Sequence, residues 1–93
     1  MEPNRAPVDA DAYAAWINLR IGAEVRRRRE ALRLSAYALA KAGLISDQTI
    51  LNIEQGLVVP LLSTLARLCV RFETTLTELV RAAEGKNLPN AFG

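Results

Sequence analysis

Two short amphipathic helix patterns stand close together in residues 34–56, and they constrain the fold more than any other feature of the chain. Ser35 opens the first pattern and Ser46 opens the second, and serine is a favoured residue at helix N-termini. We expect Gly43 to end the first helix in a left-handed conformation and Gly56 to end the second in the same way. The stretch therefore predicts two helices joined by a tight turn.

The remainder of the chain also predicts helices. A helical pattern runs from Tyr13 to Leu32, Pro60 suits the start of a fourth helix, and Thr75 suits the cap of a fifth. Aromatic and β-branched residues are sparse, which favours helix over strand. The predicted fold class is all-α with five helices. We expect a flexible N-terminal arm at 1–10, one domain at 11–84 and a tail at 85–93.

Other positions predict how these helices begin, end and pack. Asp9 or Asp11 suits the cap of the first helix, and Gly22 within it marks either a bend or a close approach by another element. The single cysteine, Cys69, cannot form an intrachain disulfide and is expected to pack in the core. The expected core face of the fourth helix consists of Leu61, Leu62, Leu65, Leu68, Cys69 and Phe72.

The charge distribution says more than the net charge of +2. Six arginines crowd residues 20–33, while the acidic residues are scattered. Such a cluster indicates either a polyanion partner, usually nucleic acid, or a solvated arginine-rich helix face. The N-terminus lacks the apolar core of a signal peptide, and no stretch is long enough to span a membrane, so we expect a cytoplasmic protein.

Catalysis finds little support in the residue types present. The chain has no histidine, so no serine–histidine or cysteine–histidine pair can be built. It also has no glycine-rich phosphate loop and no metal-ligand spacing. We expect neither an enzyme nor a bound cofactor or metal. The paired helices in residues 34–56 instead have the layout of a helix-turn-helix, although small helical bundles also contain such pairs by chance.

From Ile21 to about Val80 the sequence resembles the Xre/Cro/CI-type helix-turn-helix family, the phage-repressor-like regulators. The resemblance lies in several segments at once: IGAEVRRRREALRLS for the first helix, LAKAG for the second, SDQTI followed by NIEQG for the recognition helix, STLARL after Pro60 for the fourth and TTLTELV for the fifth. It implies a lambda-repressor-like domain that binds double-stranded DNA. It also implies a structural ion pair between Arg29 and Glu54.

The same resemblance implies DNA-contacting residues. Base contacts are expected from the outer side of the third helix, at Gln48, Thr49, Asn52 and Asp47. Glutamine and asparagine can each bond adenine through two hydrogen bonds, whereas Asp47 could accept from cytosine or cap the helix. Phosphate contacts are expected from Ser35, Ser46, Gln55, Arg28 and Arg33.

Four features depart from the family pattern. Ala36 stands where a phosphate-clamping glutamine is common, and the turn GLIS has one residue more than the commonest form. The connector Leu57-Val58-Val59 lacks basic and amide residues, and Glu73 replaces a glycine expected to be left-handed. The first and third departures weaken the grip on phosphate. They raise a second hypothesis, an antitoxin-like or co-regulator protein that uses the scaffold mainly for protein contacts.

A homodimer is expected, because one short recognition helix reads few base pairs. Tyr13 and Trp16 could form the twofold contact, or the last helix could do so together with Leu88 and Phe92. The sequence does not decide between these surfaces.

Overall fold

The computed structural model describes residues 9–85, and over that range every regular element is a helix. The five helices are α1 (Ala10–Ala31), α2 (Ala36–Gly43), α3 (Asp47–Glu54), α4 (Leu62–Arg71) and α5 (Leu76–Glu84). The predicted all-α fold with five helices is confirmed. Leu88 and Phe92, named above for a dimer contact, lie outside the described residues.

Side-chain caps fix the start of four helices. Asp9, Ser35, Ser46 and Thr75 each accept a hydrogen bond from the backbone N–H three residues further on, at 3.0 to 3.2 Å. Such bonds satisfy one of the amide groups that a helix N-terminus leaves without a partner. Of the two aspartates considered for α1, Asp9 is therefore the cap. α4 begins at Leu62 without a side-chain cap.

Four helix ends share one backbone corner, in which a single residue is left-handed. These residues are Arg33, Leu44, Gly56 and Glu73, with φ between 55° and 72°. At each corner the next backbone N–H bonds to the carbonyl five positions earlier, at 2.9 to 3.2 Å. Only Gly56 avoids the steric cost of a Cβ in this conformation, about 1 kcal/mol for each of the other three.

The corner after α2 corrects one prediction and the corner after α4 confirms another. Gly43 is the last helical residue of α2, and Leu44 takes the left-handed conformation instead. The reason is the bond from Ile45 N to Ala40 O, at 2.9 Å, which places the reversal of the chain at Leu44. Glu73 is left-handed as expected, with φ 55°.

The core lies where α1 packs on α3 and α5 and where α2 packs on α3 and α4. Leu65, Leu68 and Cys69 are buried, as expected for α4, and burial raises the pKa of the Cys69 thiol. Leu61 and Leu62 are exposed, so their assignment to the core was wrong. Both stand at the very start of α4, beyond the end of the packed face. The buried residues are Ile21, Val25, Leu39, Ala40, Ile50, Ile53, Leu65, Leu68, Cys69, Leu79 and Ala83.

Polar contacts join α1 to the C-terminal end of α5. Arg20 Nε donates to the carbonyl of Ala83 at 2.8 Å. The Tyr13 hydroxyl donates to the Glu84 carboxylate, a bond that raises the pKa of Tyr13. The Tyr13 ring also stacks on Trp16, with centroids 6.1 Å apart. Tyr13 and Trp16 therefore take part in packing within the chain, and their use in a dimer contact stays a prediction. Within 9–85, none of the helices combines the length and apolar character needed to cross a membrane.

Candidate nucleic-acid interface

The outer side of α3 carries a pair of linked amides. Gln48 is exposed and Asn52 is half-buried one turn later, and Gln48 Nε2 donates to Asn52 Oδ1 at 2.9 Å. The pair retains the Oε1 acceptor of Gln48 and the Nδ2 donor of Asn52. An acceptor beside a donor is complementary to the N6 donor and N7 acceptor of adenine. The structure thus brings together two of the four residues expected to contact bases.

The other two residues help to form the first turn of α3. Thr49 is half-buried, and its hydroxyl lies 2.7 Å from that of Ser46, the N-cap. Asp47 Oδ1 accepts from the backbone N–H of Gln48 at 3.0 Å. A carboxylate in the first turn also interacts favourably with the helix dipole. Of the two roles considered for Asp47, this contact is the capping one.

A bidentate ion pair holds the inner side of α3 to α1. Arg29 donates from Nε and Nη2 to the two carboxylate oxygens of Glu54, at 2.6 and 2.9 Å. Its Nη1 also donates to the carbonyl of Leu34 at 2.8 Å, which ties in the corner after α1. The side chains are only 13% and 4% exposed, and the bonds to Glu54 raise the pKa of Arg29. Charge-assisted, two-pronged bonds of this kind fix orientation as well as distance.

Gly22 lets the backbones of α1 and α3 approach directly. A Cβ at this position would lie 2.1 Å from the carbonyl oxygen of Ile53 and 2.9 Å from that of Glu54. No side chain fits there without displacing α3. Of the two readings of Gly22, close approach by another element is therefore the one observed.

Arg28 makes its contacts within α1 and not with α3. Its Nε donates at 2.7 Å to Glu24, which Arg27 also contacts and which is only 8% exposed. Hydrogen bonding from Arg27, followed by that from Arg28, lowers the pKa of Glu24. Arg28 also lines a surface depression with Phe72, at the end of α4. The structure therefore does not bring Arg28 to the outer side of α3.

The remaining residues expected to contact phosphate lie at helix ends. Ser35 and Ser46 are exposed caps at the starts of α2 and α3, where backbone amides favour an anion. Gln55 is exposed just after α3, and Arg33 is exposed at the left-handed corner after α1. Each remains available to a ligand from solvent.

Two parts of this surface escaped the sequence analysis. The buried Glu24 was counted among scattered acidic residues, although its spacing of three and four from Arg27 and Arg28 is a helical ion-pair spacing. The second part is the contact that fixes the connector after α3, whose apolar character the sequence did indicate. The side chain of Asn18 donates to the carbonyl of Val58 at 3.4 Å, which ties this segment to α1. Around it, Leu57, Val59, Leu61 and Leu62 are exposed.

Comparison with protein families gave a match over most of this chain. The family described as helix-turn-helix domain matches residues 20–82, which is more than half of the chain. The match covers the C-terminal half of α1, all of α2 to α4 and most of α5. The match agrees with the resemblance to Xre/Cro-type regulators. Comparisons with curated proteins and with solved structures gave no significant match. The chain belongs to the helix-turn-helix domain family.

Proposed function

We propose that the chain is a sequence-specific DNA-binding transcriptional regulator that acts in the cytoplasm. It binds a palindromic operator as a homodimer, with α3 of each copy in the major groove. The observation that carries this proposal is the pairing of two properties in one helix. The outer side of α3 presents the linked amides of Gln48 and Asn52, while Arg29 and Glu54 hold its inner side to the scaffold.

In this proposal the two amides read an A·T base pair. The Gln48–Asn52 bond aligns the acceptor of one side chain beside the donor of the other, which matches the major-groove edge of adenine. The Thr49 methyl group is suited to contact with the thymine methyl. Asp47 keeps its capping bond, and its exposed carboxylate could also accept from a cytosine amino group.

Contacts to phosphate position the helix but do not read sequence. The free backbone N–H groups at the starts of α2 and α3, with the hydroxyls of Ser35 and Ser46, would bind two phosphates of the DNA backbone. Arg33 and Gln55 would extend that contact from the neighbouring corners. Arg28 is the weakest member of the set, because its guanidinium is already paired with Glu24.

Two copies are proposed because α3 has only eight residues. A helix of this length reads a few base pairs, whereas two copies related by a twofold axis read two half-sites about one helical turn apart. The operator is then expected to be a palindrome.

Selection of bound fragments from genomic DNA tests the proposal. The purified chain is mixed with fragmented DNA, and the retained fragments are sequenced. An enriched palindrome with A·T pairs at fixed positions in each half-site is the expected result. Retention without enrichment of any sequence would contradict the proposal.

Variants of the amide pair test which residues read the bases. Gln48→Ala and Asn52→Ala should each weaken operator binding by about 1–3 kcal/mol and relax the preference at one position. Arg33→Ala should weaken binding to all sequences alike and reduce the salt dependence by about one phosphate contact. Thr77→Ala, an exposed change on α5, is the control. Unchanged discrimination in both amide variants would remove Gln48 and Asn52 from the reading surface.

A second function has a specific observation in its favour. The connector after α3 exposes apolar side chains, and Ala36 offers no amide at the start of α2. An antitoxin-like or co-regulator protein that uses this scaffold mainly for protein contacts would have such a surface. It predicts weak, salt-sensitive DNA binding without sequence preference, and the fragment selection separates it from the regulator.

A further inference from the structure

A groove runs beside α3, between the corner after α2 and the start of α4. It has a volume of about 380 Å³, and we call it the connector groove. Its apolar wall consists of Leu44, Ile45, Val58, Val59, Pro60 and Leu61. Thr49, Asn52 and the buried Ile53 of α3 also line the groove. The connector groove therefore adjoins the surface that is proposed to read DNA.

Three of the apolar side chains that line this groove contribute little to the core. Leu44, Val59 and Leu61 are all largely exposed, and the left-handed Leu44 directs its side chain outward from the corner. An exposed cluster of large apolar residues on a small domain is a feature of interaction surfaces. Its cost in water is removed only when another molecule covers it.

The charge around the groove indicates the chemistry of that molecule. Arg67 is the one charged residue among the described residues that line the groove, and none of the ion pairs within 9–85 includes it. From Gln55 to Phe72 the sequence contains two arginines and no acidic residue. Arg67 Nη1 does donate to the carbonyl of Leu44, at 3.4 Å, but that bond does not neutralise its charge. An apolar cleft with such a cation at its edge is complementary to an apolar segment that carries a carboxylate.

We propose that the connector groove binds an amphipathic, acidic segment of a partner protein, and that this segment and DNA exclude each other. The apolar side chains of the segment lie against Val59 and Leu61, and its carboxylate pairs with Arg67. A protein fits better than DNA here, because the apolar wall offers no donors to phosphate. The exclusion rests on the proposed function, since Thr49 and Asn52 would then serve both surfaces.

A peptide selection tests this site without a known partner. A displayed library of random 12-residue peptides is selected on the full chain, and the most enriched peptide is synthesised. We expect enriched peptides to combine apolar residues with Asp or Glu. Leu61→Ser and Arg67→Gln should each weaken binding of that peptide at least tenfold.

The chain supplies a matched control for each variant. Val70 is 78% exposed, close to the 70% of Leu61, and it lies on α4 outside the groove. Arg71 is likewise exposed on α4 and does not line the groove. Val70→Ser and Arg71→Gln should leave peptide binding within twofold of wild type. Circular dichroism of all four variants should match wild type, since each changed side chain is exposed.

Competition then tests the exclusion of DNA. The synthetic peptide should displace a fluorescent operator fragment at concentrations that follow its own affinity. Simultaneous binding of both would contradict the exclusion. Peptide affinity is measured without DNA, so a failed operator selection leaves the docking result standing and counts against the proposed function alone.

Three outcomes would overturn the docking site itself. One is a selection with no enriched peptides, or with peptides that bind Leu61→Ser as well as wild type. Another is self-association of the wild-type chain that Leu61→Ser abolishes, which would assign the groove to a second copy. The third is a loss of operator affinity in Leu61→Ser without any peptide binding, which would assign it to DNA.

Discussion

The two sides of α3 are held in opposite ways. On the inner side, Glu54 bonds to Arg29, which is 25 positions away in the chain, and the helix backbone rests against Gly22 of α1. On the outer side, the side chains of Gln48, Asn52 and Asp47 bond only within α3 in the contacts described above. The inner contacts join α3 to another helix, whereas the outer contacts join residues within α3. Changes on the inner side should therefore affect folding, and changes on the outer side should affect binding.

Gly22→Ala should have the largest effect on the free energy of unfolding. Alanine favours a helix interior over glycine by about 1 kcal/mol, but its Cβ would overlap the carbonyl oxygen of Ile53. We expect a net loss of about 3 kcal/mol, because overpacking against backbone forces α3 to move. Urea unfolding measures the change.

Gly43→Ala is the matched control for Gly22→Ala. Gly43 is also helical, and its added Cβ would approach only the flexible end of the Ile45 side chain, at 3.2 Å. It should cost little or add up to about 1 kcal/mol of stability. Equal losses of stability in the two variants would contradict the view that the close backbone contact between α1 and α3 requires glycine at position 22.

Glu54→Gln should have the next largest effect. It leaves the half-buried charge of Arg29 without its carboxylate partner, and we expect a cost of about 2 kcal/mol, because Arg29 keeps some exposure and its bond to the Leu34 carbonyl. Arg29→Gln should cost a similar amount, and the double variant should cost less than the sum, because the two residues act as a unit. Thermal or urea unfolding of the three variants gives the coupling energy.

An exposed pair provides the contrast with Arg29 and Glu54. Arg81 and Glu78 on α5 are 2.9 Å apart but largely exposed, so Glu78→Gln should change stability by less than about 1 kcal/mol. Additive losses in Arg29→Gln and Glu54→Gln would contradict the view that this pair holds α3 in place.

Glu24 shows how a buried carboxylate that does not contact α3 contributes to stability. Arg27 and Arg28 lower its pKa below the ordinary value of 4.5, so the folded state favours the ionised form. The unfolded state therefore binds more protons as the pH falls through and below 4.5, and stability is lost in that range. Glu24→Gln removes this contribution, and its unfolding free energy should depend less on pH between about 5 and 2.

Operator affinity, unlike stability at low pH, should not depend on Glu24. Because Glu24 touches neither side of α3 in the contacts described, Glu24→Gln at pH 7 should leave operator affinity unchanged. Acid sensitivity equal to that of wild type would mean that Glu24 does not carry this pH dependence. A loss of operator affinity in the folded variant would mean that Glu24 supports the proposed DNA-binding surface.

Gln48→Ala and Asn52→Ala should have the smallest effects on folding. Their mutual bond is a helix-surface contact at a spacing of four, which contributes about 0.2–0.5 kcal/mol. We expect unfolding free energies within that range of wild type, while operator discrimination falls. A loss of several kcal/mol in either variant would mean that the outer side also supports the fold.

Local signals in the sequence were enough to predict the helices and most of their ends. The caps at Ser35, Ser46 and Thr75 and the left-handed residues Gly56 and Glu73 depend on near neighbours, and the structure has them as expected. Gly43 was assigned the wrong conformation because glycine is the usual left-handed residue, whereas the backbone corner placed Leu44 there. The signal was right to within one residue.

Properties that depend on packing between elements were harder to predict. The burial of Glu24 follows from which face of α1 the other helices cover, and its neighbours in the chain do not determine that face. Leu61 and Leu62 fit the apolar period of α4, yet they extend past the end of the core. The candidate site residues came from the resemblance and from helix spacing, and their contacts with DNA stay predictions.

The close approach at Gly22 also has a mechanical consequence. Side chains between two helices can change rotamer and so accommodate a shift of one helix against the other. Backbone atoms in direct contact, as at Gly22, cannot do this. We therefore expect α3 to shift very little relative to α1 when a ligand binds. If α3 reads DNA as proposed, the duplex must therefore adjust its shape more than α3 does. Operators that bend or twist easily at their centre should then be favoured over stiff ones with the same half-sites.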